Sequence, residues 1–471
     1  MALAAARALA TARAHLPLLV VLAVAAALRL ATTVAYAPAL LYDDSHGYLA
    51  MAFGHWPVSV APLRPSGYPL ALRALSVFGR GLEFVTVAQH LTGLVVAVLV
   101  YTGALRLGAR RWVAVAAAAL VALDAYAIAL EQHVLAEAFF TLALTAAVVL
   151  SVGGRPSGRR LAAAGLLLAA AALMRPVALF AVPVWLAVVA GLHPGRRALL
   201  AGGGAVLAPI LAYATLHAAV TGTFGLTQSN GWFLYGRVGP IVSCRPADVP
   251  ASERALCRLR ARDRGRSPSY YIFSRRSPAH RAFGGISGDA RRQSRVDARL
   301  MSFSLGVIRQ RPGEYAELVL GDLGRFFAPG VPSLSRRDDR TLRLPASNAV
   351  LDGYGDVVHT PRWLLAASAL AALVALAVAP RAAALRLALP LGCTLAMLLG
   401  VAAAAGFALR YLLPAVPLLV VAGAGAAAEL ERAYARRRRP RATPVAVLAT
   451  TGRSGEGVEP SNRGVPRLPR L

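Results

Sequence analysis

Two neighbouring carboxylates, Asp43 and Asp44, follow directly behind the first long apolar segment of the chain. Charge near hydrocarbon loses its hydration, so an acidic pair in this position is costly unless it binds, pairs or reacts. Adjacent carboxylates repel each other, which makes one of them a usable general base. Two other interpretations stay open: oxygen ligands for a divalent cation (Mg²⁺ or Mn²⁺), and stabilisation of a helix start through its backbone N–H groups.

A second acidic group lies farther along the chain, between Glu131 and Glu137. Glu137 begins an apolar run and is expected at membrane depth, where an acid is usually functional or paired. Glu131 is typical of a helix that leaves the membrane at the water interface. Asp124 precedes Glu131 by seven residues, which places both on one helix face, and we expect Asp124 to pair with an arginine.

Three arginines, Arg64, Arg175 and Arg410, lie near prolines at the predicted outer ends of apolar spans. Arginine binds phosphate through a bidentate fork of N–H donors, so these residues are candidates for holding the phosphate of a lipid carrier. The alternative is that each side chain reaches ordinary lipid headgroups. The sequence has no Walker loop, GxSxG elbow, HExxH or CxxC motif, which argues against ATP-driven, serine-hydrolase and common zinc chemistry.

The composition identifies the class of protein. Of 471 residues, 57% are hydrophobic and only 15% are charged, whereas soluble domains carry about a quarter charged residues. A net charge of +29 would suggest nucleic acid as the partner of a soluble protein. Here the arginines cluster at helix ends and in one hydrophilic segment, so membrane orientation and anionic lipid explain them, and no nucleic acid is expected.

Apolar segments long enough to cross a bilayer recur along the chain. We predict an all-α polytopic membrane protein with about ten transmembrane helices and a mixed extracytoplasmic insertion before the last three. The predicted spans are residues 16–38, 84–105, 112–130, 135–152, 161–174, 177–192, 198–219, 364–379, 385–408 and 412–429. Four regions follow: an N-terminal transmembrane catalytic module (1–220), an extracytoplasmic loop domain (221–361), C-terminal transmembrane helices (362–430) and a disordered basic cytoplasmic tail (431–471).

Short connections that carry arginine predict the orientation. With the N-terminus inside, residues 106–111, 153–160, 193–197 and 380–385 become cytoplasmic, as the positive-inside tendency expects. An even number of spans then places both termini in the cytoplasm of a plasma-membrane protein and the carboxylate loop outside. If the large insertion is extracytoplasmic, Cys244 and Cys257 are expected to pair as a disulfide.

Taken together, these segments resemble the GT-C superfamily of membrane glycosyltransferases, which contains the protein O-mannosyltransferases and the aminoarabinose transferase of lipid A. The similar residues are Tyr42-Asp43-Asp44 with Tyr48, the Arg64–Pro69 stretch, Leu135–Phe140, Met174-Arg175-Pro176 and Arg410–Pro417. The middle segment, with Gly231-Trp232 and the two cysteines, looks like that of actinobacterial members. The resemblance covers mainly the first 180 residues and the last span.

The resemblance implies an inverting transfer of sugar outside the cytoplasm. The donor is a polyprenyl phosphate-linked sugar, and the acceptor is a hydroxyl of an envelope lipid, glycan or protein. Asp43 or Asp44 would be the catalytic base, and Glu137 would match the second acidic position. Arg175 and Arg410 would lie near the donor phosphate.

Further candidates for substrate binding are Arg64, Tyr68 and Tyr411, which belong to the same similar stretches. Two other functions remain open on the residues alone. The first is a multi-pass transporter or lipid-linked sugar flippase, and the second is an envelope protein that binds without catalysis.

Overall fold

The structure is a computed structural model that describes residues 2–54, 60–153, 157–243, 253–257, 259, 263, 265–329 and 340–438, with side chains from residue 15 onward. The described chain is 79% helical and has no strand. The helices are α1 (Ala2–Ala35), α2 (Asp43–Phe53), α3 (Gly67–Leu75), α4 (Leu82–Arg106), α5 (Arg111–Ala122), α6 (Ala125–Gln132), α7 (Glu137–Ser151), α8 (Gly158–Met174), α9 (Ala181–Gly191), α10 (Arg196–Thr221), α11 (Asn230–Val238), α12 (Arg254–Cys257), α13 (Pro268–Phe273), α14 (Pro278–Phe283), α15 (Ala290–Gln310), α16 (Pro312–Phe327), α17 (Ala349–Val357), α18 (Arg362–Val378), α19 (Arg381–Ala404) and α20 (Val416–Arg438).

The helix lengths confirm a polytopic all-α membrane protein. Within the described residues, six helical segments are long and apolar enough to cross a bilayer, and α5 with α6 would make a seventh, bent by 46° at their junction. The sequence prediction of about ten spans also counted shorter helices. Among these, α7 and the pair formed by the 3₁₀ turn Pro176–Phe180 and α9 are apolar but short.

The last span lies at the centre of the bundle. Its helix α20 packs against α18, α19, α4 and α5, so the C-terminal helices share one hydrophobic core with the N-terminal ones. By contrast, α10 packs mainly on α8 and leaves most of its surface open to the surroundings. The residues after α20, 439–471, include most of the predicted disordered tail and lie outside the described residues.

The large insertion has a hydrophobic core of its own. Trp232 and Tyr235 of α11 are fully buried against α15 and α13, where they meet Tyr271, Leu300 and Phe303. Helix α16 joins this unit to the membrane bundle because Phe326 is buried in the main core. The insertion is therefore a folded unit anchored on the bundle.

The predicted third span is broken at Asp124. The sequence predicts that the Asp124 side chain pairs with an arginine, but no such pair forms among the described residues. Instead it caps α6 by accepting the Ala127 N–H (3.0 Å) and accepts the Thr360 N–H from the far end of the insertion (2.7 Å). A carboxylate suits the free N–H groups at a helix start, and this explains why the chain breaks here.

Glu131 is not a solvent-facing helix end but half of a buried ion pair. Arg29 Nε and Nη2 donate to its two carboxylate oxygens at 2.8 and 2.9 Å. The third guanidinium nitrogen donates to the backbone oxygens of Ala25 and Ala122, and His90 Nδ1 contacts Glu131 Oε2 at 2.9 Å. This cluster ties α1, α4 and α6 together inside the bundle.

Arginines from several connections gather at one end of the bundle. Arg106 donates to the carbonyl of Val149 (2.6 Å) and Arg160 to that of Leu150 (2.8 Å). At the same end, Arg110 pairs with Glu431. Each of these residues is separated from Asp44 by the length of α4, α7 or α20. The arginine-rich end of the bundle and the loop that carries Asp43 and Asp44 therefore lie at opposite ends of the spans.

Candidate active site

Backbone hydrogen bonds hold the loop between α1 and α2 against the junction between α6 and α7. Leu40 N–H donates to the carbonyl of Gln132 and Val134 N–H donates to that of Leu40, both at 3.0 Å. The Ser45 hydroxyl then donates to the carbonyl of Val134 at 2.9 Å. These bonds bring the start of α2 next to the start of α7, although the two are about ninety residues apart.

Asp44 lies in the first turn of α2 and is held by two arginines. Arg64 Nη2 donates to Oδ1 at 2.6 Å, and both terminal nitrogens of Arg410 approach Oδ2 at 3.2 Å. Asp43 and Asp44 both lie in the first turn of this helix, whose N-cap is Tyr42. The ion pairs with Arg64 and Arg410 fix the position of the Asp44 side chain.

Glu137, at the start of α7, contacts two arginines, one of which also contacts Asp44. Its Oε1 pairs with Arg175 and lies 3.3 Å from Arg410 Nε. The side chain is 3% exposed, and its Oε2 is buried with no hydrogen-bond partner among the described residues. Arg410 thus bridges Asp44 and Glu137, and the cluster of five side chains (Asp44, Glu137, Arg64, Arg175 and Arg410) is hereafter the acid–arginine cluster.

Asp43 differs from Asp44 in being open to solvent. Its side chain is 70% exposed, against 17% for Asp44. Its cation partner is Arg340, whose Nη2 lies 3.4 Å from Asp43 Oδ1 and whose guanidinium stacks over the Tyr42 ring at 5.3 Å. Arg340 comes from the end of the insertion. No feature of the sequence distinguishes this residue from the many other arginines of that segment.

Tyrosine rings line the acid–arginine cluster. The Tyr411 ring faces Arg175 at 5.2 Å and Arg410 at 5.7 Å, and such contacts orient guanidinium groups. Tyr48 lies under Arg64 and packs edge-on against Tyr68. Tyr68 is fully buried and donates to Gln89 Oε1 at 2.9 Å, so it supports the site from the core. Direct contact of Tyr68 with substrate stays a prediction.

The loop that carries Arg410 is fixed by the insertion. Gly406 follows the end of α19 by two residues, and its φ of +87° lies in the left-handed region that suits glycine. The next N–H, of Phe407, donates to Asp322 Oδ2 at 2.9 Å, and the same oxygen accepts Arg237 Nη1 at 2.8 Å. The insertion therefore positions the 3₁₀ turn Leu409–Tyr411.

Two apolar cavities adjoin the cluster. One, of about 50 Å³, is lined by Glu131 and Glu137 and by apolar side chains of α4, α5, α6 and α7 and of the turn before α20. The other, of about 220 Å³, shares Asp124, Leu413 and Val416 with the first and extends to Tyr126 and Trp363. Because the lining of the larger cavity is mostly apolar, it suits a hydrocarbon chain rather than water.

The metal and disulfide predictions remain predictions. Among the described residues, no group of three or more His, Cys, Asp or Glu side chains could hold a metal ion, and both oxygens of Asp44 contact arginine. Cys257 is disulfide-bonded, and Cys244 lies outside the described residues. Cys393 is free and buried in the bundle.

A comparison with protein families finds one match. Residues 76–193 match the model of the dolichyl-phosphate-mannose-protein mannosyltransferase family, about a quarter of the chain. The matched segment contains Glu137 and Arg175, whereas Asp44, Arg64 and Arg410 lie outside it. No curated protein and no solved structure matches the chain. With the polytopic helical fold, the family match supports a membrane glycosyltransferase of the GT-C superfamily, whose donor is a polyprenyl phosphate-linked sugar.

Proposed function

We propose that this protein transfers a sugar, with inversion, from a polyprenyl phosphate-linked donor to a hydroxyl acceptor outside the plasma membrane. The observation that carries the proposal is the acid–arginine cluster beside the open carboxylate of Asp43. It combines a candidate base that an acceptor can reach with fixed cations for a phosphate leaving group. The acceptor belongs to the envelope: a lipid head, a glycan or a protein hydroxyl.

Asp43, rather than Asp44, is the general base in this proposal. A base must reach the acceptor hydroxyl, and Asp43 is the exposed member of the pair. Asp44 is instead bound on both oxygens by arginine, which stabilises its charged form and fixes Arg64 and Arg410 in place. In the reaction, the acceptor oxygen forms a bond to the anomeric carbon as the bond from that carbon to the phosphate oxygen breaks. The hydroxyl proton passes to Asp43.

The charges of the site match this reaction. Four guanidinium groups (Arg64, Arg175, Arg340 and Arg410) face three carboxylates, which leaves a net charge of +1 for a donor phosphodiester with one negative charge. The released phosphate monoester carries a charge of about −1.5 to −2. Proton transfer neutralises Asp43, so the net charge of the site rises to +2 as the charge of the phosphate group grows. Arg340 loses its partner at that moment and becomes available to the phosphate.

Two features support an extracytoplasmic site. The arginines of the short connections gather at the other end of the bundle, as the positive-inside tendency expects of the cytoplasmic face. The disulfide of Cys257, in the insertion, suits an oxidising compartment. Both termini are cytoplasmic in this orientation.

The larger of the two apolar cavities would receive the first isoprenyl units of the donor. The combined lining of the two cavities reaches from Glu137 to Trp363 at the lipid-facing surface, where a prenyl chain could continue into the bilayer. A transporter would instead need a central polar route through the bundle. The buried charges of Arg29 and Glu131 satisfy each other, so this pair does not form such a route.

The experiment is a transfer assay with purified protein in liposomes that contain labelled polyprenyl phosphate sugars and envelope acceptors. We expect the wild type to consume one lipid-linked sugar and Asp43→Asn to lose about 10²- to 10⁴-fold in rate, the contribution of a general base. Folding is monitored by thermal unfolding, which the exposed Asp43 should not affect.

The matched control is Glu317→Gln, which neutralises an exposed acid of α16 away from the site and should leave transfer unchanged. Consumption of no donor by the wild type would contradict the transferase assignment for these donors. Full activity of Asp43→Asn would contradict its role as base, and a selective loss in Asp44→Asn would move that role to Asp44.

A further inference from the structure

A second cation-lined cavity lies at the opposite end of the bundle from the acid–arginine cluster. It is an open cavity of about 430 Å³ between the end of α9 and the start of α19. The residues that line it are Gly191, Leu192, His193, Arg381, Ala382, Leu385 and Arg386. This set, hereafter the basic cavity, includes three side chains that can carry positive charge and no acid.

The charges of the basic cavity have no carboxylate partner among the residues that the structure describes. In the described part of the chain, no carboxylate pairs with His193, Arg381 or Arg386. Arg386 Nε is buried and lacks a hydrogen-bond acceptor. A buried N–H donor of a guanidinium group is costly to leave unsatisfied, so this atom indicates an acceptor supplied from outside the protein.

The backbone of α19 adds to the positive potential. The helix begins at Arg381, and Arg381 and Ala382 of its first turn line the cavity. A helix of this length places a partial positive charge at its N-terminus. The helix end and the arginine side chains therefore both favour an anion here, and a phosphate group has the oxygens to accept from guanidinium donors.

The depth of the basic cavity in the bilayer indicates which part of the lipid surrounds it. Helix α19 has 24 residues and leads from the basic cavity to the loop of Arg410, a rise of about 36 Å at 1.5 Å per residue. That distance is similar to the thickness of a bilayer hydrocarbon core, so the cavity lies at the headgroup level of the leaflet opposite the acid–arginine cluster. Leu192 and Leu385 supply an apolar wall beside the charges.

We propose that the basic cavity binds a phosphate group, as carried by the headgroup of an anionic phospholipid in that leaflet. The phosphate oxygens accept from Arg386, Arg381 and the start of α19, and the glycerol and upper acyl chain lie against Leu192 and Leu385. This site is separate from the proposed sugar transfer and does not depend on it. It would anchor α9 to α19 at the membrane face remote from the chemistry.

The test measures binding of fluorescent phosphatidylglycerol to the purified full-length protein in neutral detergent. The double variant Arg381→Gln/Arg386→Gln is compared with Arg196→Gln/Arg197→Gln, which removes the same charge from exposed residues that do not line the cavity. We expect saturable binding to weaken about tenfold or more in the first variant, since each arginine near an anionic headgroup contributes substantially. The second variant should change less than twofold. Arg381→Gln alone, at an exposed position, provides the result if the double variant is unstable.

Competition then identifies the source of the phosphate. Displacement by unlabelled phosphatidylglycerol but not by millimolar inorganic phosphate assigns the cavity to a lipid headgroup. Displacement by inorganic phosphate as well assigns it to soluble phosphate. Equal weakening in both double variants would overturn the proposal, because the attraction would then be general surface charge, and so would binding that does not saturate.

Discussion

Two arginine–carboxylate groups in the same bundle are built differently. The Arg29–Glu131 pair has one cation for one acid, and hydrogen bonds satisfy every nitrogen of the guanidinium and both acid oxygens. The acid–arginine cluster has three cations for two acids, and Glu137 Oε2 has no partner there. A saturated neutral pair can only hold helices together, whereas a cluster with an excess of positive charge can still bind an anionic ligand.

The largest expected effect comes from opening the saturated pair. Arg29→Leu leaves Glu131 buried without its cation, and we expect the free energy of unfolding to fall by about 3–5 kcal/mol. Arg29→Leu/Glu131→Leu should recover most of that loss, because it removes both charges together. Thermal unfolding of the purified variants measures both. If Arg29→Leu kept its stability but lost sugar transfer, the distinction between a structural and a functional pair would fail.

The second effect concerns the shared cation of the acid–arginine cluster. Arg410→Lys keeps the charge but cannot contact Asp44 and Glu137 at once, so we expect transfer to slow by about 10²-fold. Thermal stability should change little, because a cation remains. Arg311→Lys, in the exposed pair with Glu314, is the matched control and should transfer normally. Unchanged transfer by Arg410→Lys would remove the need for a guanidinium at this position.

A smaller effect is expected at the rim of the site. Arg340 and Asp43 form an exposed pair, and exposed pairs contribute little. We therefore expect Arg340→Gln to lower kcat by about two- to fivefold, because the leaving phosphate loses one cation. High salt should reduce the difference from wild type, since screening weakens exposed charges most. A hundredfold loss would instead place Arg340 among the required cations.

Asp297 extends the comparison to a buried acid without a cation. It accepts backbone N–H groups of α11, including that of Trp232 at 3.1 Å, yet burial raises its pKa to about 6 from 3.8. An acid with a raised folded pKa stabilises the fold fully below pH 3.8, and that contribution is lost as the pH rises toward 6. We expect Asp297→Asn to remove this part of the pH dependence of stability and to shift the midpoint of thermal unfolding at neutral pH by roughly a few degrees. If the unfolding midpoints of the wild type and the variant depended on pH in the same way, the raised pKa of Asp297 would be contradicted.

The sequence predicted the members of the cluster but not their contacts. Asp44, Glu137, Arg64, Arg175 and Arg410 could each be chosen because charge at a span end needs a reason. Which acid meets which arginine depends on the backbone bonds at Leu40 and on the turn at Gly406, and neither has a local sequence signature. For the same reason, the sequence alone could not predict that the side chain of Asp43 is exposed to solvent and that of Asp44 is largely buried.

The fold was predictable to a similar extent. The length of the apolar segments predicts an all-α membrane protein, because a helix satisfies its own backbone hydrogen bonds inside the hydrocarbon core. The break at Asp124 was missed since a capping acid and a pairing acid have the same side chain. Arg29 was missed although a lone arginine within an apolar span is itself a signal that a buried acid must exist.

The contact between Arg410 and Asp44 joins residues that are 366 positions apart in the chain. During synthesis, the segment that carries Asp44 is made long before the arginine that completes its charge balance. If the acid–arginine cluster holds the donor phosphate as proposed, a nascent chain would acquire that site only after α19 and the turn that follows it have been inserted. Incompletely made copies would then be inert rather than partially active.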